Sequence, residues 1–222
     1  MSFFLLAFPA LFSIVNPLGG ALIFLGATET FSSKTRKELA KWIAIYSFAI
    51  ITASMYVGAY VLTFFGISIP VLRAAGGIVI AAAAWRMLNA PDDEEPKTAE
   101  EVAEDLPPTR KPSRMAFYPL TMPITTGPGT ISVAVSLGTN RPRAAAELFS
   151  FVAQSMLAIV LICALVYGLY RYSAPLSRLI GPTGTVIVTR VSSFLLFCIG
   201  VQVFWNGAAE LLATVRQLLG ES

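Results

Sequence analysis

The stretch "FSIVNPLGGALIF", residues 12–24, lies inside a long apolar segment at the start of the chain. Its centre, Asn16-Pro17-Leu18-Gly19-Gly20, nevertheless collects residues that oppose a helix. A second interruption of the same kind stands in "TMPITTGPGTISVAV", residues 121–135. In lipid, each backbone group left without a partner costs several kcal/mol. A broken helix therefore persists there only if the break is buried in protein or lines a wet cavity. Two such breaks make the chain read as a membrane protein with a purpose for interrupted helices.

Composition agrees. The 222 residues are 55% hydrophobic and 13% charged, with mean hydropathy +0.70. A soluble domain carries about 25% charged residues. Apolar runs of about 20 residues recur, the length that crosses a hydrocarbon core of about 30 Å. The formal charge of +3 reads as loop charge that orients a membrane protein, because basic and aromatic residues do not interleave as nucleic-acid binding would need. Histidine is absent, which removes histidine acid–base chemistry and His-ligated metals. Cys163 and Cys198 stand in apolar stretches without a C-x-x-C motif and are expected as buried small hydrophobes. No metal site, cofactor or enzyme chemistry is expected. The first fifteen residues lack a basic leader region and are taken as a retained first span.

Six spans are expected, at roughly 3–28, 39–65, 71–88, 116–138, 144–170 and 186–213. The interval 91–113 is a hydrophilic loop rich in carboxylates and proline, with a short helix expected at 99–106. Lys34, Arg36, Lys37, Lys41, Arg86, Lys97, Arg110, Lys111, Arg114, Arg171, Arg178 and Arg190 gather on one side. Arg73, Arg141, Arg143 and Arg216 fall on the other. The richer side should be cytoplasmic, which puts both termini outside.

The two breaks also align. "AFPALFSIVNPLGGALIFLGAT" (7–28) and "FYPLTMPITTGPGTISVAVSLGT" (117–139) share an aromatic-Pro, a central Pro/Gly break and a closing Leu-Gly. Each is followed by a Glu-Leu pair, and Arg73/Asn89 matches Arg190/Asn206 at the same spacing. The expected fold is an all-α membrane protein of six transmembrane helices in two inverted three-helix repeats, 1–90 and 114–222, joined by the loop 91–113. A three-span unit begins and ends on opposite sides, so its copy inserts upside down, an arrangement typical of secondary transporters.

Pro17 and Pro128 each remove an N–H and act as expected hinges. Gly19, Gly20, Gly127 and Gly129 are expected to supply the backbone freedom that unwinds the first and fourth helices for several residues in mid-membrane. Each break gives one half-helix with a positive N-terminal end and one with free carbonyls. Asn16, Thr125, Thr126, Thr130 and Ser132 add uncharged polar groups. Such a site suits a zwitterion, and no obvious charge sits mid-span. Arg73 and Arg190 fit snorkelling to the interface, or gating against a carboxylate. Gln154, Gln202, Ser192 and Ser193 could line the path or bond helices together.

With its Asn16-Pro17-Leu18-Gly19 and Gly127-Pro128-Gly129-Thr130-Ile131 breaks in six spans split by a hydrophilic loop, the chain resembles the MarC/SnatA family over nearly its whole length. The resemblance implies a prokaryotic inner-membrane protein that transports small neutral amino acids such as glycine and alanine. It also implies a substrate site of Asn16, Leu18, Gly19, Gly20, Thr126, Gly127, Gly129, Thr130 and Ile131. Na⁺ and H⁺ are both candidate coupling ions, the lipid bilayer is the expected environment, and the oligomeric state stays open. Export of another small solute and a channel remain alternatives.

Overall fold

The computed structural model describes residues 2–28, 31–89, 115–142 and 144–218, and in them the chain is helical with no strand. The hydrophilic loop and its expected short helix lie outside the described residues. Helices α1 (Phe3–Val15) and α2 (Pro17–Ala27) are followed by α3 (Ser33–Phe64) and α4 (Ile69–Leu88). After the loop come the π-helical α5 (Ala116–Thr125), α6 (Pro128–Gly138), α7 (Ala145–Arg171) and α8 (Ser173–Leu218), the last interrupted at Gly181.

Among the described residues, five stretches are long and apolar enough to cross a membrane: Phe3–Ala27, Ser33–Phe64, Ile69–Leu88, Glu147–Arg171 and Thr183–Gln217. The segment expected as the fourth span is divided between α5 and the 11-residue α6, neither of which reaches that length. At 1.5 Å per residue α3 extends about 48 Å, so its lysine-rich start projects beyond a hydrocarbon core of about 30 Å.

The surface is inside-out relative to a soluble protein. Phe64, Phe149 and Leu179 are 84%, 80% and 85% exposed, whereas Thr121, Thr126 and Ser132 are fully buried. Apolar side chains facing outward and hydroxyls facing inward are stable only where the surroundings are hydrocarbon. Cys163 is buried as expected, but Cys198 is exposed. It lies on the outward face of α8 beside Phe194 and Leu195, where a thiol behaves as one more apolar group.

The most extensive helix contact among the described residues is α4 with α8, packed through a seam of small residues. A Cβ added at Gly77 would lie 2.2 Å from the Phe204 nitrogen, and one at Gly200 2.5 Å from the Ala81 nitrogen. Backbones approach this closely only where a side chain is missing, and lipid tails give no hydrophobic reason for helices to associate without such fit. Arg73 reaches from early α4 to Glu210 on late α8, and Arg190 donates from α8 to the Leu88 carbonyl at the end of α4. The two arginines thus grip opposite ends of the pair rather than only reaching for the interface.

Candidate functional site

The first break is sharper than the sequence suggests. Only Asn16 leaves the helix, at φ 45 and ψ 63, and α2 begins at once with Pro17. Asparagine tolerates this left-handed geometry because its short side chain bonds locally. Here Asn16 Oδ1 accepts from the Gly19 N–H at 3.3 Å, and the Asn16 carbonyl accepts from the Gly20 N–H at 2.9 Å. The Asn16 N–H closes α1 on the Phe12 carbonyl. One residue therefore ends α1 and caps α2. Gly19 and Gly20 were expected to unwind the chain, but both lie inside α2 with ordinary helical angles. Their use is space: a Cβ on Gly20 would sit 2.3 Å from the Tyr170 hydroxyl.

The second break has a different cause. Tyr118 (φ −130, ψ 123) and Met122 (φ −114, ψ 116) leave the helical region. Each directly precedes a proline, Pro119 or Pro123, and a residue before proline is pushed toward extended geometry. Gly127, before Pro128, is extended in turn (φ −77, ψ −177). Two hydroxyls bond back five residues along the segment: Thr121 Oγ1 donates to the Ala116 carbonyl at 2.6 Å, and Thr125 Oγ1 to the Leu120 carbonyl at 2.8 Å. The Thr126 N–H reaches the Thr121 carbonyl at 2.7 Å, completing a π-type turn.

The two breaks meet. Gly129 leaves room for Ile80 of α4, since a Cβ there would be 2.2 Å from Ile80 Cγ1, and Ile14 of α1 lies beside it, 3.6 Å from the same position. Tyr170 of α7, 1% exposed and stacked on Phe24 at 4.9 Å, bridges them. Its hydroxyl is 2.9 Å from Thr125 Oγ1 while lying against Gly20. Thr125 spends its proton on Leu120, so the tyrosine is the donor in this pair. Thr126 Oγ1 donates to Ser47 Oγ of α3 at 2.8 Å, which ties the second break to the other long helix.

Among the residues singled out from sequence, Pro17, Gly19, Gly20, Thr126, Gly129 and Thr130 are buried. Asn16, Gly127 and Ile131 are half-buried, while Leu18 and Pro128 are exposed. Ser132 is buried and donates to the Leu72 carbonyl. Gln154 bonds helices, accepting from the Phe4 N–H at 3.0 Å; Gln202 donates within its own helix to Asn206, and Ser193 to Thr189. Tyr170 and Ser47 escaped the sequence reading, because one hydroxyl in a long apolar span carries no local signal of its partner.

The electrostatics of the junction are dipolar. The end of α1 presents carbonyls and the start of α2 is capped by Asn16. The start of α6 has no side-chain cap, so the first N–H groups, at Gly129 and Thr130, lie outside the helical ladder with about half a positive charge behind them. Tyr170→Phe removes a hydrogen bond without removing the ring. It should lower stability by about 1 kcal/mol. A fall in the unfolding midpoint in detergent, followed by helix content, checks this.

Comparison with known proteins gives a consistent match. The family described as "MarC family integral membrane protein" matches residues 1–212. The inner membrane protein MarC of Escherichia coli strain K12 is 36% identical over 209 residues, covering 92% of this chain and 93% of that protein. The protein of the same name from Shigella flexneri matches to the same extent. No solved structure matches the chain.

Proposed function

The chain belongs to the MarC family of integral membrane proteins, and from this we propose that it is a secondary transporter of small neutral amino acids, of the glycine and alanine type, in the prokaryotic inner membrane. The observation that carries the reading is the meeting of two interrupted helices at one buried place, lined by hydroxyls and spanned by Tyr170. The uncapped start of α6 suits a carboxylate. The carbonyl end of α1 and the hydroxyls around it suit an ammonium group. Both charges of a zwitterion are answered by dipoles, with no ionised side chain at the junction.

Alternating access around this site rests on an inverted repeat, with α1–α4 answered by α5–α8 and the split α5–α6 segment acting as a sixth span. The helix contacts favour it, since the larger ones come in mirrored pairs. Helix α3 packs on α6 as α7 packs on α2, α3 on α5 as α7 on α1, and α2 on α8 as α6 on α4. Helix α3 meets α7, and α4 meets α8, as a two-fold axis between halves requires. On the same reading the cation-rich loops face the cytoplasm and both termini lie outside. In this reading Asn16-Pro17 and Gly127-Pro128 are the points about which the half-helices tilt.

Flux of labelled alanine and glycine into proteoliposomes, with and without Na⁺ and pH gradients, tests the proposal. The expected result is saturable flux with counterflow, and the gradient that drives it names the coupling ion. Flux that neither saturates nor exchanges would make the protein a channel. Exchange of a different solute, with none of alanine or glycine, would overturn the substrate class.

A further inference from the structure

A polar stripe leads away from the second break. Ser132, Ser136 and Asn140 follow one another at four-residue intervals along α6 and the turn beyond it, so they share a face. Ser132 lies three residues after Gly129, about 4.5 Å further along the helix. The stripe borders a cavity of about 420 Å³ between α4, α6 and α8, whose other polar lining is Arg73, Asn206 and Glu210. Gly76 admits Ser132 to the wall, since a Cβ there would lie 2.6 Å from Ser132 Oγ. Across the cavity, Arg73 Nε donates to Ser136 Oγ at 2.5 Å and Arg73 pairs with Glu210. That ion pair is the only one among the described residues.

We propose that this cavity is a second binding site, an antechamber in which Arg73 takes the carboxylate and Glu210 the ammonium group of a zwitterionic amino acid on its way to the broken-helix site. The inference rests on the transport reading above. Its logic is charge exchange. The pair is partly exposed, 25% at Arg73 and 45% at Glu210, so it opens at modest cost, and an incomer that replaces both partners restores what opening it loses. A zwitterion does so, and the guanidinium fork matches a carboxylate in two-point geometry. An anion or a cation alone leaves one partner unanswered. Ser136 stands on the arginine side, bonded to Arg73 Nε, and Asn206 lies one helical turn before Glu210, so the two ends of the ligand meet different neighbours. The pair joins α4 to α8, and Arg73 also holds α6 through Ser136. Small zwitterions are thereby selected before they reach the junction at Gly129.

The test uses the full chain, with Arg73→Gln, Glu210→Gln, Arg73→Lys and the exchanged pair Arg73→Glu/Glu210→Arg. Two readouts are taken: alanine flux in proteoliposomes, and the rise in unfolding temperature that alanine produces in detergent. Both glutamine variants should raise the KM for alanine by roughly tenfold or more with kcat little changed. They should also blunt the alanine-dependent rise in unfolding temperature. Arg73→Lys, which keeps the charge but not the fork, should fall between them and the unaltered chain. Propionate and ethylamine should compete far more weakly than glycine. The exchanged pair restores a clamp but places Ser136 and Asn206 at the wrong ends, so its KM should stay high. An unchanged KM in the glutamine variants, or full recovery in the exchanged pair, reduces the ion pair to a helix clamp and overturns the proposal. A thermal response to alanine that depends on Arg73 and Glu210, in a protein without flux, sinks the transport reading and leaves the site standing. Absence of both flux and thermal response in the unaltered chain removes the site together with the transporter.

Discussion

Leucine at position 129 is expected to abolish saturable flux while leaving the protein inserted and folded. Gly129 is the first free N–H of α6 and the point where α6, α4 and α1 converge. A Cβ alone would stand 2.2 Å from Ile80 Cγ1, and two further branches would enter the space beside Ile14. The half-helix must then tilt away from the junction, and the dipolar end proposed to answer a substrate carboxylate moves with it. The obstruction is a side chain, so it can be relieved. Gly129→Ala should be impaired, and Gly129→Ala/Ile80→Ala should regain much of the lost flux, a coupling that a double-mutant cycle measures. Normal transport by Gly129→Leu would remove this junction from the substrate path.

Leucine at Gly77 is expected to act on the fold instead. Its Cβ would meet the Phe204 nitrogen at 2.2 Å and the Gly200 carbonyl oxygen at 2.6 Å. These are backbone atoms, so no side-chain truncation can make room, and α4 and α8 must separate along their length. Overpacking costs about 1–3 kcal/mol in ordinary cores. Even Gly77→Ala should reach that range here, and leucine should exceed it, because the seam is the most extensive helix contact and is gripped at both ends by Arg73 and Arg190. Unfolding in detergent, followed by helix content against temperature, should show a large drop in midpoint for Gly77→Leu and a smaller one for Gly77→Ala. A second-site change that trims Phe204 should give no recovery. An unshifted midpoint would mean that the two helices are not in contact through Gly77. The two glycines therefore give opposite signatures: one is rescued by trimming a neighbour and lost in transport, the other is not rescued and lost in stability.

The alphabet of this sequence was enough to place it in a membrane, since runs of apolar residues with few charges have no other stable home. It was also enough to locate both interruptions, because proline withholds an N–H wherever it stands. How each interruption is built was not legible. In the first, a single asparagine carries the left-handed turn that the glycines were expected to supply, because its own side chain closes the cap on Gly19. In the second, two prolines ahead of Pro128 distort the chain from Tyr118 onward, and two threonine hydroxyls bond carbonyls within the distorted segment. The expected fourth span becomes two short pieces for that reason.

Polarity, periodicity and the backbone chemistry of proline are local, and they determined that this chain is an all-helical membrane protein interrupted at two places. Which groups face one another is not local. Tyr170 lies between Gly20 and Thr125, Ser47 takes Thr126, and Arg73 finds Glu210 across more than a hundred residues of chain. Only packing decides such pairs, because in lipid the helices are sorted by steric fit and hydrogen bonding rather than by burial of apolar surface, and neither can be read from one helix alone.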